Sequence, residues 1–153
     1  MDVNEKAPNF TLPDENGEPV TLSSFKGKPI VLFFYPRANT PGCTIEACGF
    51  RDQYAKLTRA GLTVLGISPD TSKAQKKFQE KFELPYTLLA DADKNVAKLF
   101  DVLKEKNMYG KKVMGIERTT FLIAPDGTIA QVWRKVKPEG HAEQVLAEAK
   151  PHK

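Results

Sequence analysis

The sequence predicts an α/β fold: a central mixed β-sheet flanked by helices, with an N-terminal β-hairpin. Three observations carry that prediction. Apolar runs at residues 30–35, 62–68 and 86–89 alternate with helix-period segments, as in layered α/β sheets. Residues 119–123 and 129–133, joined by Pro125-Asp126-Gly127, read as an antiparallel hairpin that would supply one edge of the sheet. The 153 residues suffice for one substantial core, so 1–153 is taken as a single domain.

Residues 10–12 start extended, Asp14-Glu15-Asn16-Gly17 signals a turn, and Val20-Thr21-Leu22 returns as the hairpin partner. The run Ile30-Val31-Leu32-Phe33-Phe34-Tyr35 has no polar alternation and reads as a central strand buried on both faces. A helix starts at Pro41, because proline suits a first turn. It presents Ala47, Phe50, Tyr54 and Leu57 at intervals of three and four before Gly61 closes it. After the strand at 62–68, Ser72 with Gln75 resembles a capping box for a helix to about Phe82, with Ala74, Phe78 and Phe82 inward. The strand at 86–89 precedes a short helix capped by Asp93 and running through Val96, Leu99 and Phe100. Residues 104–115 read as an irregular loop, and a last helix runs from about Pro138 to Ala149.

A composition of 41% hydrophobic and 27% charged residues is that of an ordinary soluble globular protein. No apolar stretch approaches the roughly 18 residues that span a membrane. Residues 1–6 are polar and lack the apolar core of an export signal, so a cytoplasmic protein is expected. The net charge is +4, with a basic face at Lys73, Lys76, Lys77 and Lys81 and a basic segment at Lys104, Lys106, Lys111 and Lys112. Acids are interleaved (Glu80, Glu83, Asp91, Asp93, Glu105), which favours solvated surfaces over a nucleic-acid partner.

Both cysteines lie in Thr40-Pro41-Gly42-Cys43-Thr44-Ile45-Glu46-Ala47-Cys48. A thiol at a helix start faces unpaired N–H groups and the positive end of the helix dipole, and both favour the reactive thiolate. At about 100° per residue, Cys43 falls within about 40° of the apolar stripe and Cys48 about 140° away from Cys43. Their Cα atoms would stand roughly 8.7 Å apart in an intact helix, beyond the about 7 Å that a disulfide tolerates. A functional pair therefore requires the first turns to unwind, and Gly49 is a weak point for it. The alternative is that both cysteines are small buried residues; the Thr-Pro-Gly-Cys context speaks against it. The other zinc-type ligands, His141 and His152, match no standard spacing, so no metal is expected.

Pro36-Arg37-Ala38-Asn39-Thr40-Pro41-Gly42-Cys43 has the form Pro-x-x-x-Thr-x-x-Cys. With residues 44–48 and Phe50-Arg51-Asp52, the chain closely resembles the peroxiredoxins, in their peroxiredoxin Q or bacterioferritin comigratory protein subfamily. Residues 7–10, 22–28, 65–70, 87–91 and 118–123 extend the resemblance over nearly the whole chain. It implies a thioredoxin-like fold and a cysteine peroxidase acting on hydroperoxides without metal, haem or flavin cofactor. By that resemblance Cys43 is the peroxidatic cysteine, whose thiolate attacks a peroxide oxygen and becomes a sulfenic acid. Thr40 would hydrogen-bond to thiolate and peroxide, Pro36 would shield the site from water, and Arg118 would hold charge near the thiolate. Donors of that kind match the negative charge developing on the leaving oxygen. Cys48 resembles a resolving cysteine, which would form an intramolecular disulfide for a thioredoxin to reduce, and the subfamily implies a monomer.

Three assignments stay open at this level. Glu46, often acidic in the subfamily, is either part of the polar network or a solvated helix residue. Arg51 has helix-surface pairing as its alternative, and Arg118 a surface ion pair with Glu117 or Asp101. Two other functional classes also compete. A general thiol–disulfide oxidoreductase would use the paired thiols, although Glu117-Arg118-Thr119 stands where thioredoxins carry a cis-proline. A binding or holdase protein would use the basic surface and the apolar area that unwinding exposes.

Overall fold

A computed structural model describes residues 2–149, the side chains of Lys106 and Met108 excepted; His152 lies outside the described residues. The N-terminal hairpin is β1 (Thr11–Pro13) with β2 (Pro19–Thr21), turned where Asp14 Oδ1 accepts the amides of Asn16 and Glu18. A 3-10 turn, Leu22–Phe25, leads into the body of the fold. There follow β3 (Ile30–Phe34), α1 (Pro41–Arg59), β4 (Thr63–Ser68), α2 (Ser72–Phe82) and β5 (Thr87–Ala90). The chain continues through α3 (Asn95–Leu99), β6 (Leu103–Met108), β7 (Lys111–Ile116), β8 (Thr119–Ile123), β9 (Ile129–Trp133) and α4 (His141–Ala149).

The five-stranded sheet has the order β5-β4-β3-β8-β9. Strands β5, β4 and β3 are parallel, whereas β8 runs antiparallel to both β3 and β9. The mixed sheet with an antiparallel edge is therefore the one expected from the apolar runs. Every residue of β3 is buried because both faces are covered, which explains its unbroken apolar run. Val31, Phe33 and the following Tyr35 join one cluster with Phe50 and Leu57 of α1, Phe78 of α2 and Val145 of α4. Ile30, Leu32 and Phe34 face a second cluster that holds Phe10, Leu12, Val96 and Phe100.

Helices α1 and α4 pack together where α1 carries least side chain: a Cβ placed on Gly49 would lie 3.7 Å from Ala142 Cβ. An aromatic chain crosses this seam. The Phe50 ring meets His141 edge-on at 5.7 Å, and His141 meets Trp133 edge-on at 6.0 Å. Burial holds His141 below its ordinary pKa, and its ring nitrogens bond to Thr120 Oγ1 and Gln144 Oε1.

Four local expectations need correction. The N-cap of α2 is Thr71, whose Oγ1 accepts the Ala74 amide; Gln75 is fully buried and faces the strands instead of closing a capping box. The free amides of α3 are taken by the carboxylate of Asp91, which accepts from Val96 and Ala97, while Asp93 accepts the amide of Asn95. Residues 104–115 are no irregular loop: β6 and β7 pair from Leu103↔Ile116 to Met108↔Lys111. The turn residues Tyr109 and Gly110 both have positive φ (53° and 77°), as a type I′ hairpin turn requires. The last helix begins at His141, after the expected Pro138. In the two basic regions all four lysines of α2 are exposed, and Lys104 and Lys112 pair with Asp101 and Glu105.

Candidate active site

The parallel strand β3 ends at the loop 36–40, which hands the chain to α1. Pro36 is half-buried at the loop's start. Thr40 is the N-cap residue, extended at φ −101° and ψ 157°, but its hydroxyl caps no amide of α1. That hydroxyl donates to Arg37 O at 2.9 Å, which leaves its oxygen lone pairs unspent on α1. The first helical bond runs from Thr44 N to Thr40 O at 2.8 Å, so the amides of Gly42 and Cys43 precede the helical ladder.

Cys43 sits at this helix mouth, 1% exposed and packed into the α1-side cluster. Cys48 is half-buried, and both thiols are free, as the helical spacing requires of an intact α1. The pairing Phe34↔Thr119 brings the start of β8 beside the end of β3, and with it Arg118. Its Nη2 donates to Cys43 Sγ at 3.4 Å and its Nη1 to Glu46 Oε1 at 2.7 Å. The surface pairing of Arg118 with Glu117 or Asp101 gives way to an ion pair with a carboxylate on α1.

Glu46 is a member of the site, not a solvated helix residue: it is 1% exposed. Burial pushes its pKa up to about 7 against the opposing pull of Arg118. Its Oε2 is buried without a hydrogen-bond partner among the described residues. Burial works against the charge of Arg118, but Glu46 and Cys43 outweigh it and raise the guanidinium pKa. Gly42 makes room for this guanidinium, since a Cβ there would lie 3.2 Å from Arg118 Nη2 and 3.6 Å from Pro138 Cγ. Pro138 thus lines the helix mouth, a position that no sequence pattern singled out. Arg51 stands apart: it donates to Phe82 O, at the end of α2, at 2.8 Å and pairs with Asp52 at 3.1 Å.

A buried thiol at a helix N-terminus, met by a guanidinium from the neighbouring strand of a thioredoxin-like sheet, defines the class of cysteine-based peroxidases. Comparison with known proteins narrows the class. Residues 3–132 match the AhpC/TSA family. The peroxiredoxin Bcp of Bacillus subtilis is 46% identical over 146 residues, covering 95% of this chain and 93% of its own. Among solved structures, the Xanthomonas campestris bacterioferritin comigratory protein superposes with a TM-score of 0.90 at 43% identity, covering 94% of this chain and 91% of that one. Peroxiredoxin Q of Xylella fastidiosa gives 0.94 at 39% identity, covering 99% and 97%. The chain belongs to the AhpC/TSA family, in its peroxiredoxin Q branch.

Proposed function

We propose that this peroxidase reduces hydrogen peroxide and organic hydroperoxides in two steps at Cys43 and Cys48. The single observation that carries the reading is the Arg118 guanidinium donating to the buried Cys43 sulfur. In the first step the Cys43 thiolate attacks the terminal peroxide oxygen and the O–O bond breaks. The sulfur becomes a sulfenic acid, and the departing oxygen takes a proton and leaves as water or an alcohol. Arg118 and the free amides of the first helical turn supply donors where negative charge develops. The Thr40 oxygen, its proton directed at Arg37, supplies an acceptor for the peroxide O–H. Pro36 and Pro138 limit water at the helix mouth. The Xanthomonas campestris relative is known for alkyl peroxide reduction, which supports an organic hydroperoxide as substrate.

In the second step the first turns of α1 unwind and the Cys48 thiol attacks the sulfenic sulfur. The Cys43–Cys48 disulfide forms and water leaves. A thioredoxin-type dithiol then returns both cysteines to thiols, a cycle suited to a cytoplasmic monomer. Mixing reduced protein with peroxide and weighing the quenched products tests both steps. Wild type is expected to lose two hydrogens, Cys43→Ser to stay unchanged, and Cys48→Ser to gain one oxygen and stop. Equal oxidation of Cys43→Ser, or full thioredoxin-driven turnover of Cys48→Ser, would defeat the reading. Insulin reduction without peroxide would favour a general disulfide oxidoreductase instead.

A further inference from the structure

The loop 36–40 bears on the site through Pro36 and Thr40, yet Arg37 and Asn39 are exposed and Asn39 lies at φ 60°. Among the described residues, one backbone donor of this loop reaches beyond the loop and α1: the Ala38 amide donates to Asp70 Oδ2 at 2.7 Å. Asp70, two residues past the end of β4, is itself held. Ser68 Oγ donates to the same Oδ2 at 2.6 Å. Gln75 Nε2 donates to Ser68 Oγ at 2.9 Å and to Leu89 O at 2.8 Å, and Tyr35 Oη donates to Gln75 Oε1 at 2.6 Å. Tyr35, Ser68 and Gln75 are each at most 1% exposed. A buried polar chain satisfied at every joint is stiff, because each partner is costly to leave unpaired. Tyr35 also joins β4 through its amide, which donates to Ile67 O at 3.0 Å. The loop is thus fixed just before its start by β4 and at its middle by Asp70.

We propose that Asp70 is a positioning residue for the peroxide reaction: its Oδ2, oriented by Ser68, fixes Ala38 and thereby sets where Pro36 and Thr40 stand against the Cys43 thiol. The proposal rests on the peroxidase reading of the site. Transfer of a peroxide oxygen to sulfur depends steeply on alignment, and a misplacement of about 1 Å can cost up to about a hundredfold in rate. Both hydrogen bonds end on one oxygen of Asp70, so the geometry asks for an acceptor at that point rather than for a charge.

Two variants separate these requirements. Asp70→Asn keeps an oxygen in place without the charge, and Asp70→Glu keeps the charge but displaces the carboxylate by a methylene. Reduced proteins are mixed with hydrogen peroxide, quenched and weighed over time; the alkylation rate of Cys43 by iodoacetamide and the melting temperature are measured in parallel. Asp70→Glu is expected to oxidise about tenfold or more slowly and Asp70→Asn within about threefold of wild type, with alkylation within about threefold in both. An Asp70→Glu protein as fast as wild type overturns the proposal. So does an Asp70→Asn protein as slow as Asp70→Glu, which would signal a charge effect. Alkylation falling in step with oxidation overturns it too, since the loss would then be a general one of the site. A wild type inert to peroxide refutes the peroxidase reading itself, whereas a reactive wild type with unaffected variants refutes this proposal alone.

Discussion

Arg118 uses two nitrogens for two partners, one on Cys43 and one on Glu46, and its planar fork holds both in a fixed geometry from a single side chain. Lysine offers one ammonium on a flexible stem. Arg118→Lys is therefore expected to lower the second-order rate with peroxide about a hundredfold, the scale of losing one preorganised donor. Stopped-flow oxidation under single-turnover conditions measures it. The motif at 36–43 made the placement of Pro36, Thr40 and Cys43 legible, because all three lie on one loop and one helix start. Glu46 was only half legible. It falls about 60° from Cys43 on the helix, close to the buried side, which was an available signal. Its partner, however, lies 72 residues away, and helical periodicity contains no trace of such a contact.

In the proposed cycle helix α1 is both stable enough to hold Cys43 in the cluster and weak enough to release it. Two features of the helix act in opposite senses on that release. Tyr86 Oη donates to Ala47 O at 2.7 Å and pins the helix one residue before Cys48. Gly49 weakens the next position, yet the folded helix has space for a methyl there, in ordinary contact with Ala142. Gly49→Ala should strengthen the helix by about 1 kcal/mol and slow disulfide closure about fivefold. Tyr86→Phe removes one hydrogen bond and should hasten closure by a similar factor of about five. Timed alkylation of the peroxide-treated proteins reads both rates, and an unchanged rate in both would mean that closure does not open the helix here. Elements with strong apolar period were legible, above all β3, α1, β8 and β9. The hairpin β6–β7 was not, since Lys104, Glu105, Asn107, Lys111 and Lys112 give no apolar alternation and most of β7 is exposed. The cap of α2 was misread by one residue because Thr71 and Ser72 carry the same chemistry side by side. For α3 the nearer acid, Asp93, concealed the buried Asp91, which holds two amides.

At the scale of the molecule, Glu46 couples the site to overall stability. Its pKa rises from 4.5 to about 7 on folding, with burial the dominant cause. The folded protein therefore keeps a proton that the unfolded chain releases between these values. Stability is fullest below about 4.5, falls as pH rises to about 7, and is level above it as far as this group is concerned. Urea unfolding of the reduced protein at pH 5 and pH 8 should show wild type losing up to about 3 kcal/mol relative to Glu46→Gln. His141, held low by burial, acts in the opposite sense below neutral pH and cancels in that difference. A wild type whose pH response matches Glu46→Gln would show that the carboxyl is ionised in both states. The seam between α1 and α4 has a further consequence. Trp133 is the chain's one tryptophan, and its ring reaches α1 through His141 and Phe50. Its indole emission therefore reports on that seam with no competing signal from another tryptophan. The molecule carries its own optical probe of whether α1 moves against α4.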